Sequence, residues 1–321
     1  MLDRHRTIPL ALILFITIGH AFAQDTAIVT SLDAAASSYY LPSVRAVFGT
    51  FTYEYSDLPT PFSRWVEDRL LLASAGSSRV RMLNRNAAAA LDPVLKASFG
   101  KFIEETGAEA LLSGRFFVEG NAVRIRFELT ELSSGTLIGA GDWKVLNSAV
   151  PGYASVRPAT GTVERAKELS SLSTTLPGGL KVSVSTDRGG GAAYRVGEEL
   201  AVLVGVTKDA FVRMYHVDSA GQIQLIWPNR FGGGDGKVRA GETVRLPPDS
   251  DAPFAFIMEP PYGTEFIKVV ASTTPFSDAP SDFSDLGTSA RATMTRGLSV
   301  TGTGSTKTEI AEALASYYIG P

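Results

Sequence analysis

The chain has 321 residues, with 30 Lys and Arg against 33 Asp and Glu, a formal net charge of -3, and no Cys. This charge balance argues against a dedicated nucleic-acid binder, and the lack of Cys excludes disulfides, thiolate nucleophiles and Cys-bound metals. The length suits two domains better than one, and a hydrophobic content of 44% is typical of a folded chain.

Residues 1–23 predict a secretory signal peptide. A short basic start precedes an apolar run over residues 8–18, and Ala21-Phe22-Ala23 forms a cleavage site before Gln24. The alternative is an uncleaved membrane anchor, although the apolar run is short for a bilayer span. We therefore expect a periplasmic or secreted protein without a membrane span after cleavage. Because no Cys follows the cleavage site, we expect it not to be a lipoprotein.

Residues 24–147 predict an α/β domain, because helical and extended patterns alternate along them. The order is a helix and a strand, then helix, strand, helix and a three-strand meander, which predicts helices packed on a mixed sheet. The predicted elements are a helix within residues 25–43, a strand Val44–Phe51, a helix from Thr60-Pro61 to Gly76, a strand Val80–Leu83, a helix from Asp92-Pro93 to Gly107, and strands Ala110–Val118, Ala122–Leu132 and Thr136–Val145.

Residues 148–178 predict a linker, since Pro and Gly interrupt them around one short polar helix, Val163–Ser171. Residues 179–305 predict a β-sandwich, because short β-branched runs alternate with Gly- and Pro-bearing turns. The predicted strands are Lys181–Thr186, Glu199–Val206, Phe211–Val217, Gln222–Trp227, Thr243–Leu246, Phe254–Glu259 and Glu265–Ser272.

Residues 306–321 predict a C-terminal helix, because Ile310, Leu314 and Tyr317 recur at helical spacing. The predicted fold class is therefore α+β. An N-terminal α/β layer, with helices on a mixed sheet, is followed by a mostly β, sandwich-like domain and a closing helix.

Few residues offer catalytic chemistry. His216 is the single histidine that remains after the predicted cleavage, and it lies in an extended run typical of a strand. We interpret it as a strand residue, because no nucleophile motif accompanies it. Glu104, Glu105 and Glu109 provide carboxylates for a hydrolase, but their place at the end of an amphipathic helix favours simple exposure. We therefore predict no catalytic, cofactor-binding or metal-binding residue.

A binding surface is predicted around Trp227-Pro228-Asn229, where Pro blocks the end of a strand, together with Tyr262 and Gly263. An aromatic ring at such a position serves as a platform for a ligand. The alternative interpretation is that Trp227 packs inside the sandwich.

The segment Gly107–Gly114, of sequence Gly-Ala-Glu-Ala-Leu-Leu-Ser-Gly, is followed by strands over residues 123–132 and 135–141. This pattern resembles the FlgO-like domain, which is akin to the curli secretion protein CsgG and the TolB amino-terminal domain. The resemblance covers about residues 25–147. It implies a location in the envelope of a two-membrane bacterium, where relatives help to build flagellar or secretion assemblies.

A second resemblance covers about residues 178–300 and concerns a bacterial domain of unknown function found at the ends of exported and signalling proteins. No catalytic residue follows from it. The matching segments are Tyr194–Glu198, Phe211–Met214, Val217-Asp218, Trp227–Asn229, Arg239–Glu242, Leu246-Pro247, Pro260–Gly263 and Thr295–Gly297.

Together these features predict a non-enzymatic envelope protein that acts as a structural or assembly partner. Its expected partners are envelope proteins, with a homo-oligomer or peptidoglycan as alternatives, and neither nucleic acid nor a cofactor is expected. One alternative function is a peptidoglycan- or carbohydrate-binding module centred on Trp227 and Tyr262. The other is a hydrolase that uses carboxylates without histidine.

Overall fold

A computed structural model describes residues 25–84, 99–171, 179–231, 234–248, 254–276 and 308–321. The predicted signal peptide and the start of the helix predicted from Asp92-Pro93 lie outside these residues. Within the described ranges, the helices lack the combination of length and apolar character needed to cross a membrane. The fold is mixed α/β and rich in strands.

The N-terminal half is a five-stranded mixed sheet. Its strand order is β2-β1-β3-β4-β5, in which β1 runs parallel to β2 and β3, and β3 to β5 form an antiparallel meander. The predicted strands and the described helices of this half are confirmed with small shifts at their ends. The elements are α1 (25–35), β1 (Val44–Tyr53), α2 (Pro61–Ser74), β2 (Val80–Met82), α3 (Phe99–Thr106), β3 (Ala110–Glu119), β4 (Ala122–Glu131) and β5 (Leu137–Leu146).

Helices α1 and α2 bury one face of this sheet. Helix α2 begins at a capping box, in which Thr60 Oγ1 accepts a hydrogen bond from the Phe62 amide and Ser63 Oγ accepts one from the Thr60 amide. Phe62 then enters a core with Leu32 of α1 and Phe116 of β3, all fully buried. Burying each such side chain contributes about 1.5–3 kcal/mol. The opposite face is covered at one end by α3, which places Ile103 on Val47.

Helix α1 and the turn after it lie along β5, the outer strand of the sheet. Ser31 Oγ donates to the Asp142 carbonyl at 3.1 Å, and Ser38 Oγ donates to the Ile138 carbonyl at 3.0 Å. Gly139 permits this close approach, because a Cβ there would stand 2.0 Å from the Ala35 carbonyl oxygen. The helix thereby occupies edge carbonyls that another strand would otherwise pair with.

The C-terminal half contains a six-stranded sheet in the order β11-β10-β15-β16-β7, with β12 also on β10, a three-stranded sheet β13-β9-β6, and the pair β14-β8. The elements are α4 (Thr160–Ser171), β6 (Val182–Thr186), β7 (Ala192–Arg195), β8 (Glu199–Leu200), β9 (Val202–Val206), β10 (Ala210–Val217), β11 (Ile223–Trp227), β12 (Lys237–Val238), β13 (Thr243–Leu246), β14 (Phe256–Ile257), β15 (Gly263–Ser272) and β16 (Ile310–Gly320).

The six-stranded sheet has an apolar core on each face. On one face, Val212 and Val269 pack with Val204 of the three-stranded sheet. On the other face, Tyr215 and Phe266 pack with residues of α4 and of the N-terminal half. Both faces of the central strands are therefore buried, which accounts for their nearly continuous apolar sequences.

The C-terminal segment is a strand, and the helix predicted over residues 306–321 is wrong. Strand β16 lies between β15, to which it is antiparallel, and β7, to which it is parallel. A central strand buried on both faces loses the alternation that marks a half-exposed strand. Its apolar residues then match helical spacing equally well. Pairing with β15 on one side and with β7 on the other makes this segment a strand.

The described part of the predicted linker, residues 148–171, packs against both halves. Ala154 belongs to the N-terminal core, and Leu169 of α4 is fully buried beneath the six-stranded sheet. Arg165 of α4 donates to the Ser219 carbonyl at 2.8 Å. The short helix predicted within this segment is confirmed as α4. The division of the chain into domains stays a prediction.

Candidate functional sites

The register of three adjacent strands brings His216, Glu265 and Tyr317 together. Glu265 of β15 lies directly opposite Tyr317 of β16. His216 of β10 lies opposite Ile267, two residues from Glu265 and therefore on the same face. His216 Nε2 is 2.7 Å from Glu265 Oε2, and the Tyr317 hydroxyl donates to the same oxygen at 2.8 Å. Strand pairing thus assembles a compact polar group from distant parts of the chain.

The surroundings define which atoms of this group donate. Burial, assisted by the charge of Glu265, raises the pKa of Tyr317 well above its usual range, so Tyr317 stays a neutral phenol and donates its proton. The Glu265 side chain is only 4% exposed. His216 Nε2 contacts the same carboxylate oxygen that accepts the Tyr317 proton.

These polar groups line a cavity of about 420 Å³, which we call the His216 cavity. The segment 255–261 forms one wall, and the six-stranded sheet forms the floor. Its polar lining also includes Asp218, Gln224 and Glu259. The apolar lining consists of Leu200, Ile226, Ala255, Phe256, Ile257, Met258, Pro260, Pro261, Ile267 and Ile319. Apolar walls with a few convergent polar groups are typical of a small-molecule site.

A second concave surface lies on the five-stranded sheet, on the face opposite α1 and α2. We call it the open face; it encloses about 530 Å³. Its side chains come from alternate positions of neighbouring strands, as the pairing of Arg115 with Arg126 and of Arg126 with Asp142 illustrates. The lining residues are Thr50, Thr52, Tyr55, Asp57, Ser113, Gly114, Arg115, Phe117, Arg126, Phe127, Glu128, Ala140, Gly141 and Asp142.

The open face combines charges of both signs with one exposed aromatic ring. The Tyr55 ring packs edge-on against Phe117, with the centroids 5.5 Å apart, yet Tyr55 remains 85% exposed. Arg115 lies 3.7 Å from Asp57, whereas Arg126 forms no ion pair with any described residue. The surface therefore offers both polar and aromatic contacts to a partner.

The predicted binding surface is only partly accessible. Trp227 is 6% exposed, and its ring packs within the core between the two sheets. Asn229 is also buried; its Nδ2 donates to the Ile226 carbonyl at 2.7 Å and its Oδ1 accepts from the Phe231 amide. Tyr262 is 51% exposed but does not line the His216 cavity, so its role in binding stays a prediction.

Pro228 and Gly263, the other two residues of the predicted surface, contact neighbouring turns. The Pro228 ring lies beside the backbone of Gly236. A Cβ at Gly263 would meet Ser219 Cβ at 2.8 Å. The structure therefore separates the five predicted residues into a buried turn at Trp227 and an exposed loop at Tyr262.

The glutamates considered for hydrolysis do not converge on a cleft. Glu109 Oε2 accepts from the Arg45 backbone amide at 2.9 Å, which ties the loop before β3 to β1. Glu104 and Glu105 are exposed. Across the described part of the chain, no cluster of three or more His, Asp or Glu side chains is arranged to hold a metal ion.

A cluster of charged residues, in which Glu67 is buried, joins α2 to the C-terminal half. Glu67 Oε2 is 2.8 Å from Arg64 Nη1, and the Asp68 carboxylate binds Arg195 of β7 at 3.1 Å. Burial raises the pKa of Glu67 to about 7, even though Arg64 and Arg188 act in the opposite direction. This group therefore changes charge near neutral pH.

Comparison with known proteins identifies part of the C-terminal half. Residues 193–275 match the family model of a domain of unknown function, DUF4384. This confirms the predicted domain of unknown function over about a quarter of the chain. The FlgO-like resemblance of residues 25–147 stays a prediction. A search of curated proteins finds no match.

Solved structures show only distant similarity. The LpoB C-terminal domain from Escherichia coli is 13% identical, with coverage of 38% of this chain and 97% of that chain and a TM-score of 0.30. Lipoprotein GNA1162 from Neisseria meningitidis is 11% identical, with coverage of 42% and 99% and a TM-score of 0.22. TolB from Acinetobacter baumannii is 10% identical, with coverage of 71% and 57% and a TM-score of 0.20. Scores this low carry no inference about function.

Sequence patterns alone did not identify either cavity. Strand β10 confirms the interpretation of His216 as a strand residue. Sequence patterns do not single out its partners, Glu265 and Tyr317. The signal that identifies them is the strand register, which depends on pairing between segments far apart in the chain.

Proposed function

We propose that this is a non-enzymatic protein of the periplasm that acts as a structural or assembly partner within the cell envelope. The proposal further assigns partner binding to the open face. One observation carries this assignment: the other face and the outer edge of the sheet are covered, and the remaining concave surface presents the exposed ring of Tyr55, which packs on the half-buried Phe117.

The charges of the open face favour a protein as its occupant. Arg126 is exposed and forms no ion pair with the described residues, so it can bind a carboxylate of a partner without losing an internal contact. Glu128 and Asp142, also exposed, offer the complementary acceptors. Tyr55 supplies a large, exposed aromatic ring, and tyrosine is enriched among the residues that dominate binding energy at interfaces.

The sequence supports the location. The predicted signal peptide over residues 1–23 directs export, and the FlgO-like resemblance of residues 25–147 points to an envelope machine of the flagellar or secretion type. Within this proposal the six-stranded and three-stranded sheets of the C-terminal half form a sandwich-like domain that holds the N-terminal sheet in place.

The experiment compares two kinds of partner. The purified mature protein is incubated with solubilised envelope extract and, separately, with purified cell wall, and the bound material is recovered by affinity capture or sedimentation. We expect one reproducible envelope protein to be captured and no sedimentation with the wall. Arg126→Glu should abolish capture, because it reverses the charge at the centre of the open face.

The matched control is Arg239→Glu, which reverses a 78% exposed arginine in the C-terminal half. Capture should survive this change. If both variants capture the partner equally, the open face is not the binding surface. Sedimentation of the protein with cell wall would support the peptidoglycan-binding alternative and contradict an assembly role.

A further inference from the structure

We propose that the His216 cavity binds an alkylammonium group, such as a free alkylamine or the side chain of a peptide lysine. This site is separate from the open face, and the inference does not depend on the proposed function. It rests on a carboxylate oxygen to which no described residue donates, the sign of the charges, and the shape of the cavity.

The first step concerns Glu265. The contacts of this carboxylate with His216 and with Tyr317 both end on Oε2. Oε1 receives no hydrogen bond from any described residue, although the side chain is 4% exposed and lines the cavity. Oε1 is therefore free to accept a hydrogen bond from a ligand in the cavity.

The second step concerns charge. Three carboxylate side chains, those of Asp218, Glu259 and Glu265, line the cavity, and the described lining contains neither Lys nor Arg. Arg165 lies nearby, but its guanidinium binds the backbone oxygens of the turn over residues 218–220. The cavity therefore selects a cation over an anion.

The third step concerns shape and orientation. An ammonium group carries three donors and no acceptor. It can donate to the carboxylates of Glu265 and Asp218 that line the cavity, and Asp218 is held in place because its Oδ1 accepts from the Gln222 amide at 2.8 Å. The apolar walls at Ile226 and Met258 suit the attached alkyl chain.

The test is isothermal titration calorimetry of the full mature protein with hexylamine, 1-hexanol and hexanoate. We expect hexylamine to bind about tenfold more tightly than 1-hexanol, because the charge-assisted hydrogen bonds are lost in the alcohol, and hexanoate not to bind. A parallel titration with Nα-acetyl-lysine amide distinguishes a lysine side chain from a free amine as the natural form of the ligand.

Two variants test the assigned groups. Glu265→Gln keeps the size of the side chain but removes its charge, and it should weaken hexylamine binding by about tenfold or more. Asp218→Asn, a half-buried position, provides the second test if Glu265→Gln fails to fold by circular dichroism. Glu242→Gln, at an exposed position away from the cavity, should bind like the parent. Equal binding of hexylamine and hexanol, or unchanged binding in the folded cavity variants, would overturn the proposal.

Discussion

Replacing Glu67 by Gln should change how the stability of the protein depends on pH. The folded chain holds the Glu67 proton up to about pH 7, because burial raises the pKa of this carboxyl, whereas the unfolded chain releases it near the ordinary value of 4.5. A raised carboxyl pKa stabilises the fold fully below the unfolded value. That stabilisation is lost as the pH rises through the folded value.

The expected size of the pH-dependent stability difference follows from the shift in the pKa of Glu67. A shift in the pKa of Glu67 from 4.5 to about 7 corresponds to about 3 kcal/mol in the free energy of unfolding. This is the difference between low pH, where the group is protonated in both states, and high pH, where it is ionised in both. Between about pH 5 and about pH 8.5, roughly 2–3 kcal/mol of this change should be observable. Glu198, nearby, titrates in another window: burial opposes its ionisation, but Arg188 outweighs burial and lowers its pKa. Its stabilising contribution is therefore lost only at acidic pH, below this range.

Urea unfolding followed by far-UV circular dichroism at several pH values measures the difference. The free energy of unfolding of the parent, relative to that of Glu67→Gln, should fall as the pH rises across this interval. The amide keeps an acceptor for Arg64 but does not titrate, so it removes only the pH-dependent part. A Glu242→Gln control should follow the parent. A parent-to-variant difference that stays constant with pH would refute the reasoning.

Three further outcomes are expected. Gly139→Ala should destabilise the fold by about 2 kcal/mol or more, because its Cβ would clash with the Ala35 carbonyl; Gly152→Ala, with open space around it, should not, and equal melting temperatures would contradict this. Amino-terminal sequencing of protein from cells should begin at Gln24, and an intact amino terminus in a membrane fraction would disprove cleavage. His216→Gln should leave envelope-partner capture intact, with a stability change of about 1 kcal/mol, and a hydrolytic turnover lost in the folded variant would argue for an enzyme.

Local signals made the N-terminal half predictable. The turn between β3 and β4 is one example, because Gly120 adopts a positive φ of 63° that favours glycine. The start of α2 is another, since Thr60-Pro61 provides both a cap and a first-turn proline. Such features act over a few residues, and a sequence displays them directly.

Features that depend on pairing between distant strands were not predictable. Strand β16 looked helical because burial on both faces removed its alternation, and β7 was missed because it is short. The same reason hid the His216 cavity. His216 lies 49 residues from Glu265 in sequence, and Tyr317 lies 52 residues beyond Glu265. Only the register of β10, β15 and β16 brings the three side chains together.

Site-specific photocrosslinking in living cells tests the central claim most directly. A photoreactive phenylalanine replaces Tyr55 on the open face or, as a matched control, Tyr153, which is 75% exposed and does not line that face. The account predicts that the probe at position 55 crosslinks to one envelope protein, that Arg126→Glu removes this crosslink, and that the probe at position 153 gives none. No crosslink from position 55, or the same crosslink from both positions, would contradict the assignment of the open face as the partner surface.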